Sequence, residues 1–438
     1  MVLIGASKLV SKAEISKGDC WFLCALASIA EYENLGLVRN LFVKKQSDAA
    51  NLYGVYELRF CKNGLWVQTV IDDYFPCDSD SAGGPKYSQT HDSELWVLLV
   101  EKAYAKLHGS YAAIESGFPF EAMMDLTGAP YKNFQFNDSN VQSKIQDGSL
   151  WDELCEFDKR DYIMACCTPG EDEYTKKGTK PLGILVPGHA YRYLSCSFHN
   201  AAVTMNICMN CSSLLSCVTT EIERHKLCKV RNPWGNTEWD GDWSDNSALW
   251  TPEIRSELRY EKADDGIFWI SFADLVQYFD SINVCLIRQE SDPWVEFRFP
   301  FDFVFSQQSC GVIDSAIYEL TLESVERELF IAIHQKDHRI VGAPSYIDCG
   351  ITLLKATDVD GEFEYIASTQ ICADRQNQLE VPSLNPGRYY LIPASCGWTI
   401  EREKINGVGS RADESSAPDA DSTENSGVTK LCCLARWF

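Results

Sequence analysis

The 438-residue sequence predicts an α+β fold: a helical lobe, then a β-rich lobe, then an all-β sandwich. Three observations predict it. In the first third, apolar residues recur at helical spacing, most clearly in SELWVLLVEKAYAKLHGSY (93–111). From about residue 160 the apolar runs become short and rich in β-branched and aromatic residues. Beyond Asp292-Pro293, short strands and turns follow one another for about 110 residues, the density of a sandwich. The expected domains are 1–125, 126–290, 291–402 and 403–438.

Residues 20–30 are apolar at helical spacing, with the first turn beginning at Cys20. YGVYELRF and GLWVQTVIDDYFP alternate and read as a hairpin. In the following helix Ser93 is the expected cap, Glu94 lies in the first turn and Gly109 ends it. DYIMACCT, GILVPGHAYRYLSC, AVTMNICM, KLCKVRNPW and GIFWISFADLVQYF then read as strands with one late helix. WVEFRF, IYELTLE, ELFIAIHQ, CGITLLKAT, FEYIAST, QLEVPSL and GRYYLIPAS supply the sandwich. NGVGSRADESSAPDADSTENSG is polar and acidic and is expected to be disordered, ahead of an apolar, basic end, KLCCLARWF.

The net charge of -24 argues against nucleic acid as a partner and against standing attachment to anionic membranes, and it suits a cation such as Ca²⁺. The nineteen cysteines are odd in number, and Cys24, Cys166, Cys167 and Cys285 sit in apolar runs. That pattern reads as buried thiols in a reducing, cytoplasmic setting rather than a disulfide scaffold. Cys208 and Cys211 form a C-x-x-C without a second ligand pair at zinc spacing. MVLIGASKLV is a poor signal peptide, and no apolar run is long enough to span a bilayer.

Three stretches belong together. GDCW places Cys20 at a helix start, where free N–H groups and partial positive charge favour a thiolate. PGHAYRYL sets His189 between two small residues. VRNPWGNTEWDGDWSD offers Asn232, whose carbonyl can accept from an imidazole N–H, and Trp234, which can cover that bond. Alone, each has a plainer reading: a packed thiol, a structural histidine, a turn. Together they match the nucleophile, base and orienting group of a cysteine protease.

GDCWFLCALASIA, ELWVLLVEKAYAKLHGSY, GHAYRYL, RNPWGNTEWDGDWSD and DDGIFWISFADL closely resemble the calpain protease core, a papain-like cysteine protease that is normally calcium-dependent and intracellular. The resemblance covers about residues 11–287, and residues 294–400 look like the calpain C2-like sandwich, with PGRYYLIPAS the clearest match. It implies a two-lobed, papain-like core followed by a C2-like domain, without the penta-EF-hand domain of conventional calpains. It makes Cys20 the nucleophile, His189 the general base and then acid, Asn232 its orienting partner and Trp234 their shield. It implies protein substrates, Ca²⁺ and no organic cofactor, a monomer, and contact of the C2-like domain with lipid or a protein partner.

The sequence also departs from the family. Where the family has a glutamine that donates to the oxyanion, this chain has Glu14, and an ionised carboxylate only accepts. Of the calcium ligands that the resemblance implies, Glu94, Glu238, Asp245 and Asp265 match; Ser11 and Ile267 stand where the family has acids. Both sites should therefore bind weakly. The stretch before Cys20 is short for the family, leaving a truncated N terminus and relaxed calcium gating as alternatives. Residues 195–224 form a cysteine-rich insert. Cys432 and Cys433 are not at a prenylation position; an S-palmitoylation pattern is weighed against an incidental apolar end.

Overall fold

The structure, a computed structural model, describes residues 19–30, 32, 36–43, 53–77, 84–88, 95–169, 185, 189–199, 225–232, 238–263, 265–287, 294–302, 317–340, 343, 346–359, 361–395 and 428–436. It divides into two compact units, one of residues 1–59, 68–106 and 110–287, the other of 60–67, 107–109 and 288–438.

In the first unit, helix α1 (Cys20–Ala30) is apolar nearly throughout and buries Trp21 to Leu26. Strands β1 (Val55–Lys62) and β2 (Leu65–Asp72) form the expected hairpin, although its tip, 60–67, clusters with the second unit. The turn is Asn63-Gly64, both at positive φ (53° and 77°), the geometry for which an Asn-Gly pair is suited. Helix α2 (Trp96–His108) stops at Gly109, whose φ of 104° a side chain would strain. Helix α3 (Pro119–Thr127) opens on a proline and closes on Gly128 in the left-handed conformation. After β3 (Tyr131–Gln135), Asp138 caps α4 (Ser139–Asp147) by accepting from the Asn140 N–H at 2.7 Å, and α5 (Ser149–Lys159) follows.

The remaining strands of this unit are β4 (Ile163–Cys167), β5 (Ala190–His199), β6 (His225–Arg231), β7 (Ile267–Ser271) and β8 (Ser281–Cys285). With β3 they make a six-stranded antiparallel sheet in the order β3-β8-β4-β5-β6-β7. Helix α1 packs on β4 and β5, and α5 also packs on β5. Two late helices occur rather than the one expected. Thr251 and Pro252 start α6 (Pro252–Glu257), and Ser271 caps α7 (Phe272–Tyr278). A satellite core of Leu227, Trp243, Trp250, Ile254 and Trp269 explains the tryptophan-rich segment after Asn232.

The second unit holds β9 (Trp294–Asp302), β10 (Tyr318–Leu322), β11 (Glu326–His334), β12 (Gly350–Ala356), β13 (Phe363–Ser368), β14 (Gln376–Leu384), β15 (Gly387–Ala394) and β16 (Val428–Arg436). They form two four-stranded antiparallel sheets, β10-β15-β12-β13 and β14-β11-β16-β9, sharing one core that includes Ile331, Ile333, Leu353, Leu379 and Leu391. Val428–Arg436, expected as the apolar end of a disordered tail, is instead a strand paired on both sides, with β9 and with β11. An apolar segment can satisfy its backbone groups there at lower cost than in isolation. Residues 403–427 lie outside the described residues. No helix among the described residues is long and apolar enough to cross a membrane.

Candidate active site

Cys20 is the first residue of α1 and is partly exposed, whereas Trp21 and Phe22 behind it are buried. The turn is set by the Asp19 carbonyl, which accepts from the N–H groups of Phe22 (2.9 Å) and Leu23 (3.1 Å). Trp21 is fixed by its indole N–H, which donates to the Ile114 carbonyl at 2.9 Å, and Phe22 stacks on Tyr104 of α2 at 4.3 Å. Gly117 abuts the Trp21 ring: a Cβ there would lie 2.5 Å from Cε2. The start of α1 is thus held from several directions while Cys20 itself stays partly exposed. Burial pushes the Cys166 thiol well up and that of Cys285 up to about 12, which keeps both protonated and inert.

His189 precedes β5, and Thr168, just beyond β4, holds its backbone twice. The His189 N–H donates to Thr168 Oγ1 at 3.0 Å, and its carbonyl accepts from the Thr168 N–H at 3.0 Å. Tyr191 meets the imidazole edge-on at 4.9 Å. Asn232 follows β6, is fully buried, and is anchored by its own N–H to the Gly266 carbonyl at 2.8 Å. His189 Nε2 lies 3.1 Å from Asn232 Oδ1. A carboxamide oxygen only accepts, so Nε2 carries the proton and Nδ1 of the neutral ring is the basic nitrogen. The structure thus brings His189 and Asn232 together in a buried part of the unit. On the cysteine side, α1 packs on β4 and β5, and Cys167, which ends β4 opposite Ala190, has Cys20 among the groups acting electrostatically on it.

Glu14, Glu94 and Trp234 lie outside the described residues, as does Ser11. Of the candidate calcium ligands, Glu238 Oε1 accepts from the N–H groups of Gly266 (2.8 Å) and Asp265 (3.2 Å). Asp265 Oδ1 accepts from Ile267 N–H at 3.0 Å, and Asp245 Oδ1 accepts from the Tyr260 hydroxyl at 3.0 Å. Carboxylate oxygens are the right donors for Ca²⁺. These three, however, do not bring a ligand atom each within 4.8 Å of one another among the described residues, and one oxygen of each is already engaged. As arranged they do not fit a closed calcium site.

Sequence reasoning missed Thr168, whose hold on His189 has no motif, and the acidic pair of Asp19 and Glu101 beside Cys20. Both acids are buried, and burial raises both carboxyl groups above the ordinary carboxylate range.

Comparison with known proteins gives a consistent result. The family model described as "Calpain family cysteine protease" matches residues 8–286. The chain is 35% identical over 274 residues to the calpain-type cysteine protease DEK1 of Arabidopsis thaliana, covering 62% of this chain and 11% of that protein. It is 34% identical over 280 residues to Calpain-A of Drosophila melanogaster, covering 63% of this chain and 30% of that one. Calpain-9 of Rattus norvegicus aligns over 425 residues at 28% identity, covering 90% of this chain and 57% of its own length. The chain thus spans between about a tenth and somewhat over half of these relatives.

Proposed function

Because the chain belongs to the calpain family of cysteine proteases, we propose that it is a cytoplasmic endopeptidase making limited cuts in protein substrates, with Cys20, His189 and Asn232 as its catalytic residues. The observation that carries this reading is the buried His189–Asn232 hydrogen bond of 3.1 Å, in the same unit as a partly exposed cysteine at a helix start. His189 Nδ1 takes the Cys20 proton, and the thiolate attacks the scissile carbonyl. The tetrahedral oxyanion receives the Cys20 N–H and collapses to a thioester as His189 protonates the departing amine. Water, deprotonated by His189, attacks the thioester, and the thiol is regenerated with release of the acid. Asn232 keeps the imidazole proton on Nε2 throughout, and Trp234 screens that bond from water.

In this reading the first unit is a two-lobed, papain-like core binding an extended substrate segment, and the sandwich of the second unit is a C2-like domain that contacts lipid or a protein partner. The protein acts as a monomer. Calcium, the regulator expected of the family, would be held by Glu94, Glu238, Asp245 and Asp265 and would supply positive charge there. Its influence is weakened here because Ser11 and Ile267 replace acids and because Glu238, Asp245 and Asp265 do not converge.

A second reading, a regulatory protein with little turnover on the same core, is favoured by Glu14, whose charge would oppose the oxyanion. Labelling with an irreversible epoxide or vinyl-sulfone cysteine probe across a calcium titration separates the two. Covalent modification of Cys20 supports the protease; a folded protein whose Cys20 stays unmodified at every calcium concentration refutes it.

A further inference from the structure

Two of the acids read as calcium ligands, Glu238 and Asp265, accept hydrogen bonds from the main chain of one turn, and that turn holds Asn232. Asn232 falls opposite Gly266, one residue beyond the Arg231–Ile267 pair of β6 and β7, and its N–H donates to the Gly266 carbonyl at 2.8 Å. Gly266 in turn donates its own N–H to Glu238 Oε1 at 2.8 Å, and the Asp265 N–H donates to the same oxygen at 3.2 Å. Two successive N–H groups turned toward one carboxylate oxygen form an anion-accepting nest of backbone, and hydrogen bonds to a charged acceptor are the stronger kind. Gly266 has a φ of 81°, a conformation that a side chain would strain. Asp265 Oδ1 then accepts from the Ile267 N–H at 3.0 Å, where β7 begins.

We propose that Glu238 is a positioning residue for Asn232: its carboxylate clamps the turn at 265–266, and the clamped turn presents the Gly266 carbonyl that holds Asn232 against His189. This role rests on the reading of Asn232 as the group that orients the base. It gives the acid a use that needs no metal, consistent with the failure of Glu238, Asp245 and Asp265 to converge.

The clamp has a fixed base. Glu238 is half-buried, and its neighbour Trp239 is buried. The Trp239 indole N–H donates to the Asp242 carbonyl at 2.7 Å, and its ring meets Tyr278 of α7 at 5.0 Å. Gly241 lies so close that a Cβ there would sit 2.1 Å from Trp239 Cζ2. At the other end, Asn232 and His189 are buried and 3.1 Å apart through Oδ1 and Nε2. The contacts thus run in series, Glu238 to Gly266 to Asn232 to His189. Without the carboxylate, the 265 and 266 N–H groups lose this acceptor, and the Gly266 peptide is freer to turn its carbonyl away from Asn232. Glutamine at 238 keeps an acceptor oxygen for both N–H groups but removes the charge on which calcium affinity depends. That difference separates a backbone clamp from a metal ligand.

The test compares the full-length wild type with Glu238→Ala and Glu238→Gln. One measurement is hydrogen exchange of the Asn232 amide, with calcium removed by EGTA and the site resolved by fragmentation mass spectrometry. The other is peptide hydrolysis at saturating calcium, with kcat and KM determined separately. Glu238→Ala is expected to exchange Asn232 about tenfold faster, the equivalent of about 1.4 kcal/mol of local opening, and to lower kcat about tenfold with little change in KM. Glu238→Gln is expected to stay within about threefold of wild type in both, because the acceptor is restored. Should Glu238→Ala not fold, Glu238→Asp, which draws the carboxylate back by one methylene, carries the same comparison. Asn232 exchange that is equal in wild type and Glu238→Ala overturns the proposal. So does equal loss of activity in the alanine and glutamine variants with Asn232 exchange unaltered in EGTA, the pattern of a calcium ligand. Faster exchange in an active enzyme whose kcat is unchanged also overturns it. A wild type without hydrolysis at any calcium concentration overturns the protease reading alone, and exchange in EGTA still decides whether Glu238 holds Asn232.

Discussion

Asp337→Asn is predicted to destabilise the second unit selectively. The Asp337 carboxylate is fully buried and lies 2.5 Å from Lys62 Nζ and 3.6 Å from both Arg339 Nη1 and Arg375 Nη1. His108 Nε2 is 3.7 Å away. Burial alone would raise this carboxyl, but the His108 imidazole beside it and the charges of Lys62, Arg375 and Arg339 outweigh it and hold the group far below the usual range. Asparagine keeps the shape and the Oδ1 acceptor that receives the Arg339 N–H at 2.9 Å, so what is lost is charge. Removing one member of a buried ion pair costs about 3–5 kcal/mol. At about 1.4 kcal/mol per tenfold, a 4 kcal/mol loss accelerates exchange through global opening about 10³-fold. Hydrogen exchange of β11 and β14 amides, followed by mass spectrometry, reads this in the unit concerned without assuming two-state unfolding of the whole chain. The depressed carboxyl contributes stability above its unfolded value of about 3.8 and loses it only as pH falls through the folded value. The effect should therefore be flat from about pH 5 to about pH 8. A change under about fivefold would refute the reasoning, because the cations would then be sufficiently solvated without this carboxylate.

Asn232→Ala removes the acceptor that keeps the imidazole proton on Nε2, and it should lower kcat/KM on a peptide substrate by about 10²-fold with little change in KM. Gly117→Ala drives a methyl group into the Trp21 ring; a fall in stability of about 1–3 kcal/mol by thermal unfolding should accompany slower Cys20 alkylation. Glu14→Gln should speed casein cleavage by about 10²-fold, whereas unchanged or slower turnover would remove Glu14 as the limiting defect. Calorimetry should give calcium dissociation constants weaker than about 10⁻⁵ M, and two sub-micromolar sites would contradict the thinned ligand sets.

The parts of this architecture that sequence revealed are those carried by local chemistry. Gly109 marked a helix end because its positive φ suits that residue, and alternation in YGVYELRF and GLWVQTVIDDYFP marked the hairpin. GDCW, GHA and RNP marked the candidate site because nucleophile, base and carboxamide must be those residue types. What stayed hidden depends on partners remote in sequence. Nothing near Asp337 announces Lys62 or His108, and Asp19 gives no sign of Glu101. The segment VTKLCCLAR looked like an incidental end because both its pairing strands are far away along the chain.

That last strand sets an order on synthesis. Strand β16 occupies an interior place between β9 and β11, yet 125 residues separate Asp302 from Val428. At about 5–20 residues per second, a ribosome leaves β9 waiting roughly 6–25 s for its neighbour. During that interval β9 offers a bare row of amide and carbonyl groups, the kind of template on which nascent chains mispair. Assembly of this half of the sandwich is thus late and non-local, and chaperone attendance during translation should matter more to its yield than the strength of the finished core.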